Sequence, residues 1–211
     1  MSHIVLLGDS IFDNAAYTRG GPDVVTQVRE LLPEGWRATL CAVDGATTRG
    51  MRAQLQRVPA DASHLMISIG GNDALQNSDL LELRVTSSAQ ALRTFAQRLD
   101  AFETAYRDAI RDVLALGCDT TLCTVYNGAL EPDRADIARV ALAVFNDVIL
   151  RTAVDRRLKT IELRSICTEP GDYANPIEPS SAGGLKIARA IAHVSGALPG
   201  AGEPARVWGR G

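Results

Sequence analysis

The sequence predicts an α/β protein, a three-layer α/β/α sandwich around a five-stranded parallel sheet. Short runs rich in aliphatic and β-branched residues alternate with longer stretches whose apolar residues recur at helical spacing, which is the pattern of a parallel sheet covered on both faces. With 211 residues, 46% of them hydrophobic, the chain has enough apolar surface to bury such a sheet in one domain.

Taken in order, the first strand is expected at residues 3–7, where the apolar run Ile4 to Leu7 leads into Gly8-Asp9. A helix at 24–32, a strand at 37–43, a helical stretch at 48–56 and a third strand at 64–69 follow. A long helix at 87–116 carries Ala105, Ile110, Val113 and Leu114 on one face and stops at Gly117. The fourth strand is placed at 120–126. Pro132-Asp133 opens a helix at 134–156, the fifth strand lies at 160–163, and Pro179-Ser180 opens the last helix at 182–195. Residues 1–198 are expected to form a single domain. Residues 199–211, rich in Gly, Pro and Arg, read as a flexible C-terminal tail.

Composition narrows the function. A net charge of −3 with interspersed acids and bases gives no basis for a nucleic-acid or anionic-membrane partner and leaves a small-molecule substrate. The four cysteines form no CxxC pair or zinc-type cluster and read mostly as buried, reduced residues. The N-terminus has no charged stretch before a long apolar segment, so a cytoplasmic location is expected. Phosphate-binding glycine signatures are absent, and Asp9 and Asp13 around Ser10 would repel a nucleotide phosphate. Asp9, Asp13, Asp73, Asp172 and Glu178 could meet at one rim and offer oxygens to a hard cation, but their spacing is not that of any metal site. No metal and no cofactor is expected.

In an open parallel sheet, ligands bind in the loops beyond the carboxyl ends of the strands. Those loops hold GDSIFDN at 8–14, DGATT at 44–48, GGNDAL at 70–75, YNGALEPD at 126–133 and the stretch 167–181. Singly, each has an ordinary reading: Ser10 as a turn residue, Gly45 as a turn glycine, and Asn72 or Asp73 as a helix cap. Together they bring a hydroxyl nucleophile, a glycine N–H and a side-chain amide to one edge, which is the layout that acyl transfer requires. Asp9, Asp13 and Asp73 beside these motifs are candidate substrate-binding residues.

At these positions the chain resembles the SGNH (GDSL-type) hydrolases, three-layer α/β serine esterases, lipases and thioesterases of flavodoxin-like fold. Gly8-Asp9-Ser10, the Gly45 segment and Gly70-Gly71-Asn72-Asp73 match three of the family's four blocks in order, and the likeness spans essentially the whole domain. The resemblance implies that Ser10 is the nucleophile. It also implies an oxyanion hole built from the Ser10 N–H, the Gly45 N–H and the Asn72 side chain.

The fourth block departs from that pattern. Where the family has Asp-x-x-His, this chain reads Asn175-Pro176-Ile177-Glu178. None of the three histidines is placed to substitute: His3 and His64 lie at the amino ends of strands, about 15–20 Å from the Ser10 edge. His193 lies about 20 Å from the start of the last helix. Glu178 is therefore the candidate base, with Asn175 expected to donate a hydrogen bond that orients it. Two readings stay open: a hydrolase of a small ester or thioester with this atypical base, or a catalytically impaired relative that binds an acylated or small-molecule ligand.

Overall fold

In a computed structural model that describes residues 2–199, five parallel strands form one sheet in the order β2-β1-β3-β4-β5. The strands are β1 (Ser2–Gly8), β2 (Trp36–Leu40), β3 (His64–Ser68), β4 (Asp119–Cys123) and β5 (Lys159–Ile161). The helices are α1 (Val24–Leu31), α2 (Met51–Leu55), α3 (Gly71–Leu75), α4 (Ser88–Leu114), α5 (Pro132–Arg156) and α6 (Ser181–Val194). The expected tail at 199–211 falls outside the described residues from 200 onward.

Strand alternation sorts the core into two layers. Ile4, Leu6 and Met66 pack with α1 and α6 through Val24, Val28, Ile187 and Ile191. Val5, Leu7, Leu65 and Ile67 point the other way, onto Met51 of α2 and onto α4 and α5 through Tyr106, Ile110, Val148 and Ile149. The strand order reverses beside β1, which opens a crevice between the loops after β1 and β3.

The expected elements are present, with shifted boundaries. The second strand ends at Leu40 because Cys41 and Ala42 both donate to the Leu6 carbonyl, which breaks the regular ladder there. The stretch expected as one helix from Thr48 begins as a 3₁₀ turn over Thr48–Gly50 before α2. Pro132 stands in the first turn of α5, and Ser180 caps α6 by accepting from the Gly183 N–H. The four cysteines are free thiols. Among the described residues, no helix is long and apolar enough to cross a membrane.

Candidate active site

The crevice is built by holding the backbone where strands end. At Gly8, φ is +134°, and a Cβ would meet the Ser68 carbonyl oxygen at 1.8 Å, so only glycine fits where β1 leaves the sheet. Gln54 of α2 is buried and grips this residue on both sides: the Gly8 N–H donates to Oε1 at 2.8 Å, and Nε2 donates to the Gly8 carbonyl at 2.7 Å. The turn that follows is closed by Asp9, whose carbonyl accepts from the Phe12 and Asp13 N–H groups. Ser10 stands on that turn, buried but facing a cavity that it lines together with Asp9, Asn72 and Glu178.

The remaining loops converge by similar means. Asp73 accepts from the Thr48 N–H at 3.0 Å and its hydroxyl at 2.7 Å, tying the loop after β2 to α3. Asn72 donates to the Ala46 carbonyl at 3.0 Å, which uses one of the two amide hydrogens. Asn14, fully buried, accepts from Val24 N–H and donates to the Pro179 carbonyl, so the loop after β1 holds the residue next to Glu178. Asn146 of α5 clasps both main-chain groups of Val125 after β4. Gly128, at φ +77°, admits the Pro176 carbonyl at a spacing that a Cβ would block.

Of the residues expected at the site, Ser10, Asn72, Glu178 and Asp9 line one cavity. Gly45, at φ +75°, lies outside its lining, in the exposed loop that Asn72 and Asp73 hold. The N–H groups of Ser10 and Gly45 donate to no described residue. Two of the candidate substrate-binding acids serve the loops instead: Asp73 binds Thr48, and Asp13 accepts from the Asp44 N–H at 2.9 Å. Asn175 also differs from its expected role. Its side-chain oxygen accepts from the Ile177 and Glu178 N–H groups, both at 2.9 Å, so it shapes the loop rather than donating to the Glu178 carboxylate.

The three histidines lie elsewhere, as expected. His3 contacts Asp61 and Thr39, His64 contacts Ser63, and His193 sits in the last turn of α6.

Burial dominates the electrostatics of the carboxyl groups. It raises the Glu178 pKa; the nearby Ser10 hydroxyl pulls it back, and the charge of Asp44 adds to the rise. No bond of normal hydrogen-bond geometry joins Ser10 to Glu178, and Glu178 Oε2 is buried without a partner. Asp9 is pushed up to about 8, chiefly by burial, with the Ile11 N–H opposing and the charges of Glu178 and Asp73 reinforcing the shift. At neutral pH, Asp9 is therefore mostly protonated. Among the described residues, no group of His, Cys, Asp and Glu is arranged to hold a metal.

Sequence reasoning missed Gln54, Thr48, Asn14 and Asn146. Asn14 and Thr48 end the GDSIFDN and DGATT stretches, and Gln54 and Asn146 lie in no recognisable motif; each is a polar residue that becomes meaningful only once its partner is located.

A family model described as the GDSL-like Lipase/Acylhydrolase family matches residues 6–184. No curated protein matches the chain. Among solved structures, an α/β hydrolase enzyme from the metagenome of Lake Arreo, Spain, superposes with a TM-score of 0.70 at 21% identity, covering 94% of this chain and 97% of that one. An acetylxylan esterase from Geobacillus stearothermophilus gives 0.67 at 22% identity, covering 90% and 92%. An extracellular lipase from Streptomyces rimosus gives 0.66 at 16%, covering 90% and 98%. At these identities, the structural likeness is one of fold.

Proposed function

The chain belongs to the GDSL-like lipase/acylhydrolase family, and from that premise we propose that it hydrolyses a small ester or thioester with Ser10 as nucleophile and Glu178 as an atypical base. The observation that carries this reading is the Glu178 carboxylate beside Ser10 in a shared cavity, its pKa raised by burial and its Oε2 free of any partner. A solvated carboxylate is a weak base at neutral pH. Desolvation strengthens it, so the site offsets part of the handicap of lacking imidazole.

In this reading Glu178 takes the Ser10 hydroxyl proton as Oγ forms a bond to the acyl carbon and the carbonyl π electrons move onto oxygen. The oxyanion is met by the free N–H groups of Ser10 and Gly45 and by the remaining Asn72 amide hydrogen. The leaving alkoxide or thiolate departs with the proton held by Glu178. Water, deprotonated by the same carboxylate, then releases the acid and restores Ser10.

A second reading has one observation in its favour. Asn175 is engaged with the loop backbone, so Glu178 lacks the orienting donor that a base normally has, which suits a protein that binds an acylated or small-molecule ligand without cleaving it. Hydrolysis of p-nitrophenyl acetate by wild type and Ser10→Ala separates the two. The esterase reading expects turnover that falls at least about a hundredfold in the variant. Equal background rates for both proteins favour the binding reading.

A further inference from the structure

The helices α4 and α5 are too long for the sheet they cover. At about 1.5 Å per residue, their 27 and 25 residues span roughly 40 Å, against about 17 Å for a five-residue strand. Their buried residues begin only at Phe102 and Phe145, so their amino-terminal halves overhang the edge that carries Ser10. The overhang is not simply a solvated rim. Phe95 of α4 and Ala138, Ala141 and Leu142 of α5 line the same cavity as Ser10 and Glu178, facing Leu75 and Leu81.

This cavity measures about 140 Å³. An apolar space of ~150 Å³ holds a benzene molecule, so this one has room for an acyl chain on the order of six carbons. Asn77 also lines it, but its amide is engaged by the Asp73 carbonyl and by Arg98. The two alanines on α5 keep the channel open where larger side chains would close it.

Resting on the reading of Ser10 as nucleophile, we infer that the channel holds an unbranched apolar acyl chain of about six carbons, and that Ala138 and Ala141 set its length. Each methylene moved from water into such a channel is worth about 0.8 kcal/mol, roughly fourfold in kcat/KM. Hexanoyl esters are therefore the preferred class over acetyl esters.

The test compares p-nitrophenyl acetate, butyrate, hexanoate and decanoate on wild type, Ala141→Trp and Ala138→Leu, with thermal melts to confirm folding. The smaller Ala138→Leu change keeps the test open if the tryptophan does not fold. The expected result is a hexanoate/acetate ratio of kcat/KM of at least ~10 in wild type that falls at least ~5-fold in a folded channel variant. A ratio of one or less, or one that neither variant moves, overturns the channel while leaving Ser10 hydrolysis standing. If no ester turns over, the hydrolase reading fails, and binding of the neutral, uncleaved N-methylhexanamide then decides the channel. Binding at least ~10-fold tighter than N-methylacetamide, weakened in a channel variant, supports it; equal binding overturns it.

Discussion

Gln54 holds Gly8 by both main-chain groups, and the residue it holds lies two before Ser10. Asn146 does the same to Val125 at the end of β4. In each case a buried side-chain amide replaces the neighbouring strand that the backbone has just left, since an unpaired buried N–H or C=O is costly.

Replacing Asn146 with an apolar residue of similar size strands a donor and an acceptor at Val125, whereas replacing Gln54 strands the Gly8 N–H alone, because the Gly8 carbonyl also accepts from the Val43 N–H. In urea unfolding, Asn146→Leu is expected to lower stability by about 2–4 kcal/mol and Gln54→Leu by about 1–3 kcal/mol. A loss below about 0.5 kcal/mol would show that the loops find other partners. Gln54→Leu is also expected to lower turnover in the fraction that remains folded, because the Ser10 turn hangs from Gly8.

Asp73 acts on the site through Thr48. Asp73→Ala removes one of the two ties between α3 and the loop carrying Gly45, leaving only Asn72 on the Ala46 carbonyl, and kcat for an activated ester is expected to fall about tenfold or more with a smaller change in KM. Steady-state kinetics check this split. A rise in KM alone would instead assign Asp73 to substrate binding.

Asn175 offers a test of its role as a main-chain acceptor. Asn175→Asp keeps an oxygen for the Ile177 and Glu178 N–H groups, whereas Asn175→Ala does not. The aspartate is expected to retain activity within about threefold at its best pH and the alanine to lose about tenfold. Equal losses would return Asn175 to the role of a donor to Glu178.

Asp9 gives the protein a pH signature. Its pKa is about 8 when folded, against 3.8 for an ordinary aspartate, so the folded state binds the proton more tightly than the unfolded chain. Its contribution is fully present below the lower value and is lost as pH rises through the higher one, with a slope approaching ~1.4 kcal/mol per pH unit between them. Asp9→Asn removes this slope. Chemical unfolding of both proteins at pH 5, 6.5 and 8 is expected to show the variant gaining on wild type as pH rises; parallel curves would contradict it.

Much of the fold was legible because it is written in periodicities. The alternation of short and long apolar runs located all five strands and the long helices, and Gly8-Asp9-Ser10, Gly45 and Asn72 mark the edge where they sit. The helix α3 escaped because five residues are too few to show a helical period. Asp13, Asp73 and Asn175 were legible as polar loop residues, but their partners were not. An aspartate that binds substrate and one that binds a neighbouring loop have the same local sequence, and only the three-dimensional approach of Thr48 or the Asp44 N–H separates them. The buried amides Gln54, Asn14 and Asn146 were silent for the same reason.

In the proposed mechanism Glu178 activates Ser10. This is tested most directly by mixing wild type and Glu178→Gln with p-nitrophenyl acetate at pH 7, quenching at intervals and locating the acetyl group by peptide mass spectrometry. Acetyl is expected on Ser10 in wild type, with formation slower by about 10²–10⁴ in the glutamine variant. Acetylation at another residue, or at Ser10 with the same rate in both proteins, would contradict it.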